Sequence, residues 1–169
     1  MNPVLRIAAI TDEFSPDLSL ALDAMSGIGM TGAELRVLWG RNIMDLTDED
    51  LRRARDLIQA KGMEVISIAS PILKCVLPGA PEVDTRFQQD VFASKHTFED
   101  QPGLTDRAFR IAEFMNAKIV RVFSYWRSVE PEKTFGGVVE AVMGLAAKAA
   151  SAAADEVVRT EPGSSDTAA

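Results

Sequence analysis

Apolar runs of strand length alternate along this chain with longer stretches in which apolar residues recur every three or four positions. Val4 to Ile10 is the first such run. It leads into Ser15-Pro16-Asp17, where Ser15 can cap a helix and Pro16 suits its first turn. Leu18, Ala21, Leu22, Met25 and Ile28 then repeat at helical spacing, which predicts a helix that buries one face and stops at Gly29. Gly32 to Val37 predicts a second strand. Thr47-Asp48-Glu49-Asp50 opens a second helix as a capping box with Asp in place of the usual Glu. Leu51, Ala54, Leu57 and Ile58 supply its buried stripe, and Gly62 ends it. Val65 to Ala69 is the third strand. A third helix is expected from Leu104 to Met115, with Ala108, Ile111, Ala112 and Met115 inward and Asn116 in the left-handed terminal conformation. Lys118 to Phe123 is the fourth strand. Glu130-Pro131 opens a fourth helix carrying Phe135, Val138, Val139, Val142 and Leu145.

The helix-to-strand junctions Gly29-Met30-Thr31-Gly32, Gly62-Met63-Glu64-Val65 and Asn116-Ala117-Lys118-Ile119 resemble one another, so the chain is an internal βα repeat. Ser70 to Gly103 is longer than one connection needs and predicts a loop excursion, a common place for function. The chain is alanine-rich from 146 to 155; Glu156-Val157-Val158-Arg159 then reads as a weak fifth strand and Thr160 to Ala169 as a polar tail. The expected organisation is one α/β domain over 1–154, followed by a strand-five remnant and flexible tail over 155–169. Repeating βα units imply parallel strands, in an open doubly wound sheet or in part of a (β/α)8 TIM barrel. A whole barrel needs about 250 residues, so four to five units would be a partial one.

The length of 169 residues fits one domain, and 47% hydrophobic with 25% charged residues fits a globular one. The net charge of −7 argues against nucleic acid or an anionic membrane as partner. A single cysteine, Cys75, favours a reducing compartment, and neither a signal-peptide pattern nor a spanning apolar run is evident, so a cytoplasmic location is expected. Cys75 itself reads as a small buried hydrophobe or, less simply, a nucleophile.

Ligands of parallel βα sheets sit at the carboxyl ends of the strands. The strands here end in Thr11-Asp12-Glu13, in Glu34 and Arg36, in Ser70 and Lys74, and in Arg121 and Ser124. Period two puts Glu34 and Arg36 on one face, and Arg121 with Phe123 on one face. Arg36, Arg121 and Lys74 suit a phosphate or carboxylate substrate, with Glu34 as general base or holding a hydroxyl. Ion pairing within the sheet is the other reading of Glu34 and Arg36. Trp39 and Trp126 would wall a pocket or simply pack. His96, the one histidine, is a candidate catalytic acid or substrate ligand, or else a loop-packing residue. One His and one Cys cannot build a zinc site of the usual Cys/His type. Gly27-Ile28-Gly29-Met30-Thr31-Gly32 matches the dinucleotide fingerprint in letters, but it closes a helix and precedes a strand, the reverse of what phosphate binding requires.

Four segments at successive strand ends carry a further signal: Ile10-Thr11-Asp12-Glu13-Phe14-Ser15-Pro16-Asp17, Ala33-Glu34-Leu35-Arg36-Val37-Leu38-Trp39-Gly40, Ile68-Ala69-Ser70-Pro71 and Val120-Arg121-Val122-Phe123-Ser124. Together they resemble the sugar phosphate isomerase/epimerase family of xylose isomerase-like TIM barrels, over about Val4 to Leu145. The resemblance implies barrel topology and a sugar or sugar phosphate substrate. It also implies metal-assisted proton transfer between adjacent carbons, with Mn, Mg or Zn stabilising the enediolate charge. It carries Glu34, Arg36, Arg121 and His96 to the substrate side. The family's metal ligands come mainly from strands five to eight. Val157 to Gly163 is similar to the strand-five segment, where Glu-Asn-Glu is common, but Arg159 stands at the first Glu and Glu161 at the second. No metal ligand is therefore assigned, and the chain is expected to be a truncated relative, inactive alone and binding no metal. The alternative is a structural or interaction protein that self-associates, as a homodimer, through half-barrel edges. An AP-endonuclease-like relative shares the superfamily, but the acidic charge argues against DNA binding.

Overall fold

The computed structural model describes residues 6–86 and 95–160, with side chains as far as 152. Strand β1 is Ala8–Ile10, followed by a 3-10 turn at Thr11–Glu13 and helix α1 at Leu18–Gly27. The cap of α1 is Asp17, whose carboxylate accepts from the Leu20 amide at 3.1 Å, and not Ser15. Ser15 instead accepts from the Asp17 amide at 3.1 Å, so it orients the capping residue from outside the helix.

Strand β2 is Gly32–Leu35, and here the single expected strand divides. A two-residue turn at Trp39-Gly40, with φ of 53° and 75°, folds β3 (Val37–Leu38) antiparallel onto β4 (Arg41–Asn42). Two left-handed residues in a two-residue loop make the tight hairpin type whose twist suits the flanking strands. The chain thus leaves the sheet at Arg36, whose carbonyl accepts from the Ile43 amide at 2.9 Å.

Helix α2 is Asp48–Ala60, and its capping box is formed as expected between Thr47 and Asp50. The Thr47 hydroxyl and Arg41 pull the Asp50 carboxyl down to about 2. Its folded-state value lies below the ordinary 3.8, so its stabilising effect is complete above 3.8 and is lost as pH falls toward about 2. Asp50→Asn is expected to lose less stability than the unsubstituted chain across that window, measured by urea unfolding at stepped pH.

Strand β5 (Glu64–Ala69), helix α3 (Gln101–Met115), strand β6 (Ile119–Arg121) and helix α4 (Phe135–Thr160) complete the order. Asn116 ends α3 with φ 55°, as expected of a left-handed cap. The stretch from Ser70 to Asp100 holds no strand or helix among its described residues beyond one antiparallel bridge, Val83 to Ser128.

The main sheet runs β1-β2-β5-β6, all parallel and in unbroken chain order. Right-handed crossovers between successive neighbours put every connecting helix on the same side. The packing agrees: α1 touches α2, α2 touches α3, and α2 and α3 lie against β5. Ala33, Leu35 and Ile68 face these helices and are fully buried. The opposite face carries Ile10, Glu34, Ile66 and Ile119, none of them buried. Gly32 is required on that face, since a Cβ there would lie 2.5 Å from Ile66 Cγ1 and 2.9 Å from Ala8 Cβ. The fold is α/β with a four-stranded parallel sheet.

One expectation fails at the C-terminal end. Glu156 to Arg159 is not a fifth strand but the continuation of α4. No glycine or asparagine stops the helix before it, and the alanines of 146–154 are the strongest helix formers. The remainder of the expected tail, 161–169, lies outside the described residues. The α4 stripe is also only partly inward: Val138, Ala141 and Leu145 pack on the core, while Phe135 is 69% exposed and Val139 and Val142 stand open. Over 135–152 this helix reaches the length and mean hydropathy, 1.2, at which a helix can cross a membrane by composition, and no residue of it is buried.

Candidate functional site at the strand carboxyl ends

Parallel order brings the ends of all four strands to one edge. In register, Ile10 lies beside Glu34, Glu34 beside Ser67, and Ser67 beside Ile119; two residues further, on the same face, Ala69 lies beside Arg121. A register shift after Ala33 matches Glu34 to Ser67, and the Ser67 hydroxyl donates to Glu34 Oε2 at 3.0 Å. The other carboxylate oxygen of Glu34 accepts no hydrogen bond among the described residues.

Arg36 is committed to strand one. Its Nε and Nη2 donate to Asp12 Oδ2 at 3.0 and 2.7 Å, and Nη2 also reaches Glu13 Oε1 at 2.6 Å. Burial opposes the Arg36 charge, yet the hydrogen bonds to Asp12 and Glu13 outweigh it and raise its pKa. Asp12 Oδ1 accepts from the Val37 amide at 3.2 Å, so the same carboxylate anchors the hairpin. Arg36 is thus ion-paired to Asp12 and Glu13.

Arg121 differs. Burial, and then the neighbouring Arg36 charge, depress its pKa, while Glu34 and Asp12 pull the other way. Its Nε is sealed from solvent and has no hydrogen-bond partner. A buried guanidinium nitrogen in that state is costly and calls for an acceptor. The strand end is held by the Ser70 hydroxyl, which donates to the Arg121 carbonyl at 2.6 Å. Arg121 and Lys74 both lie over the Phe123 ring, at 5.1 and 5.2 Å, and Lys74 is 5.9 Å from Trp126. Cations over an aromatic face keep their charge while shedding water.

The backbone behind these side chains is strained. Leu73 and Tyr125, both buried, have φ of 60° and 63°, a region that bulky residues avoid. They are tied together, since the Tyr125 amide donates to the Leu73 carbonyl at 3.1 Å and the Leu73 amide to Gln101 Oε1 at 2.7 Å. Each such residue costs about 1–3 kcal/mol, and such strain collects at functional sites. Cys75 is buried beside them; burial and then the charge of Glu99 push its thiol up, which suits packing and not nucleophilic attack.

The structure therefore brings Glu34, Arg36 and Arg121 together and joins Lys74 and Trp126 to them through Phe123. Trp39 is turned to α2, where Arg53 stacks on it at 4.7 Å. His96 stands just before α3, near Asp100. Asp12 and Phe123, which the sequence places at strand ends without a role, and Ser67, which it does not mark, also belong to the group. As for a divalent metal, no three His, Cys, Asp or Glu side chains stand close enough to hold one among the described residues. The nearby carboxylates Asp12 and Glu13 are spent on Arg36, so this set does not fit a hard cation, which favours several oxygen ligands. No family model, curated protein or solved structure matches the chain.

Proposed function

We propose that the chain forms the substrate-binding half of a TIM-type barrel related to sugar phosphate isomerases and epimerases. The observation that carries this is the buried, unpartnered Arg121 Nε beside Glu34, at the carboxyl edge of four parallel strands in sequential order. Arg121 would take a phosphate or hydroxyl oxygen, and Lys74 over Phe123 would add charge. The open oxygen of Glu34 would hold a sugar hydroxyl or remove its neighbouring proton. Arg36 acts as a positioning residue through Asp12. Calorimetric titration of the full chain with pentose and hexose phosphates should show saturable binding, weakened about tenfold or more by Arg121→Ala, the loss of a charged hydrogen bond. No saturable binding, or binding indifferent to that change, sinks the reading. Turnover with Mn²⁺, Mg²⁺ or Zn²⁺ that Glu34→Gln abolishes would instead make the chain an isomerase by itself.

A second reading has its own observation. Strands β1 and β6 are both sheet edges, Ile119 on β6 is 54% exposed, and a cavity of about 700 Å³ separates α4 from α3 and β6. Open edges with apolar neighbours invite further strands. In this reading a second copy supplies them, four strands from each.

A further inference from the structure

We infer a second anion site, away from the strand ends, in the cleft between α2 and α3. Arg52 and Arg55 on α2 are three residues apart, as are Arg107 and Arg110 on α3, so each pair shares a helix face. The two faces meet. Arg52, Arg107 and Arg110 line a cavity of about 270 Å³ whose apolar wall is Leu51, Ile111 and Phe114. The Arg55 guanidinium lies 4.4 Å from the centre of the Phe114 ring.

Like charges at this spacing weaken a helix, and two such pairs facing one another weaken the contact between helices. One carboxylate, Asp48, lines the cavity against these arginines, in a chain whose net charge is −7. Neutralisation within the cleft is incomplete. Arg107 is held rigidly, with Nη2 donating to the Leu46 carbonyl at 2.7 Å and Nη1 to Asp48 Oδ1 at 3.2 Å. Arg55 Nε is sealed from solvent without a hydrogen bond, its closest acid, Asp56, being 3.7 Å away. Asp106, whose carboxylate feels the charge of Arg110, accepts instead from Lys148 Nζ at 2.6 Å. Arg52 has no ion pair among the described residues.

Guanidinium forks match the geometry of phosphate oxygens, and the apolar wall suits a compact organic body. The ligand class is a small phosphate monoester, with its phosphate among Arg52, Arg107 and Arg110 and its body against Phe114, the part-exposed apolar residue of the lining. This site is independent of the sugar reading, and Arg121 has no part in it.

The probe is phenyl phosphate, titrated into the ¹⁵N-labelled full chain and followed by amide shifts. Saturable shifts are expected at 51–55 and 107–114, with inorganic phosphate weaker at the same amides. Arg52→Ala/Arg110→Ala should weaken phenyl phosphate about tenfold or more while the rest of the spectrum is kept. Arg110→Gln alone, which keeps an uncharged stem, should act in the same direction and serves if the double variant misfolds. Arg121→Ala should leave this binding unchanged. Absence of saturable shifts in the cleft overturns the site, as does an affinity that ignores Arg110 or follows Arg121.

Discussion

Arg36→Met is expected to cost about 3–5 kcal/mol of folding stability, because it leaves a buried carboxylate without its partner. The Asp12 side chain is 6% exposed and that of Arg36 15%, so water cannot replace the lost guanidinium. Glu13 shares the same Nη2 but is 61% exposed and would simply turn outward. The damage spreads to the hairpin, since Asp12 also holds the Val37 amide and an unpaired Asp12 would shift to find solvent. Asp12→Asn/Arg36→Met removes both charges and should recover most of the loss, because replacing a buried pair is often neutral where breaking it is not. Urea unfolding of the four members of this cycle measures it. A cost under about 1 kcal/mol for Arg36→Met is what a solvent-screened pair would give. In that case Arg36 is available to a ligand and its assignment as a positioning residue fails.

That distinction was not legible in the sequence. Period two placed Glu34 and Arg36 on one face and left open whether they bind a ligand or pair internally. The outcome depends on Asp12, which is distant in the chain and reaches Arg36 only because β1 and β2 are neighbours in register. The division of the second strand was hidden for a different reason. Its hairpin turns on Trp39-Gly40, whereas the usual signal is Asn-Gly or Asp-Gly, and a left-handed tryptophan has no sequence signature. Capping chemistry was more readable, because Thr47 with Asp50 and the terminal Asn116 act through local hydrogen bonds. Ser15 misled because two residues close together, Ser15 and Asp17, both have the side chain of a cap.

The helix α4 shows a further limit. A stripe of period 3.6 states that one face is apolar, not that another element covers it. Val138 and Leu145 find the core, but Phe135, Val139 and Met143 do not. The alanines that follow bury little and propagate the helix through the segment whose valines suggested a strand. The arginine cleft was partly legible: both basic pairs have the spacing of one helix face. Which two helices meet is a tertiary fact.

The asymmetry of the sheet leads to the second large effect. Ile68→Ala is expected to cost about 2–5 kcal/mol, the range for truncating a fully buried aliphatic residue in a core that collapses only partly. Ile68 has no exposure, pairs with Leu35 and Val120 in register, and faces the helix layer. Ile119, on the same pair of strands, is 54% exposed and lies beside Ser67 on the face without helices. Ile119→Ser should therefore change the stability of the dilute monomer by no more than about 0.5 kcal/mol. Denaturant unfolding of both variants at low protein concentration checks the pair, and equal costs would mean that both faces are covered and that the one-sided helix layer is wrong. Repeating the measurement with increasing concentration separates the two functional readings. If a second copy completes the sheet, light scattering gives twice 18.3 kDa, the stability of the unsubstituted chain rises with concentration, and Ile119→Ser removes both effects. A mass that stays at 18.3 kDa at every concentration rules out self-association and with it the second reading.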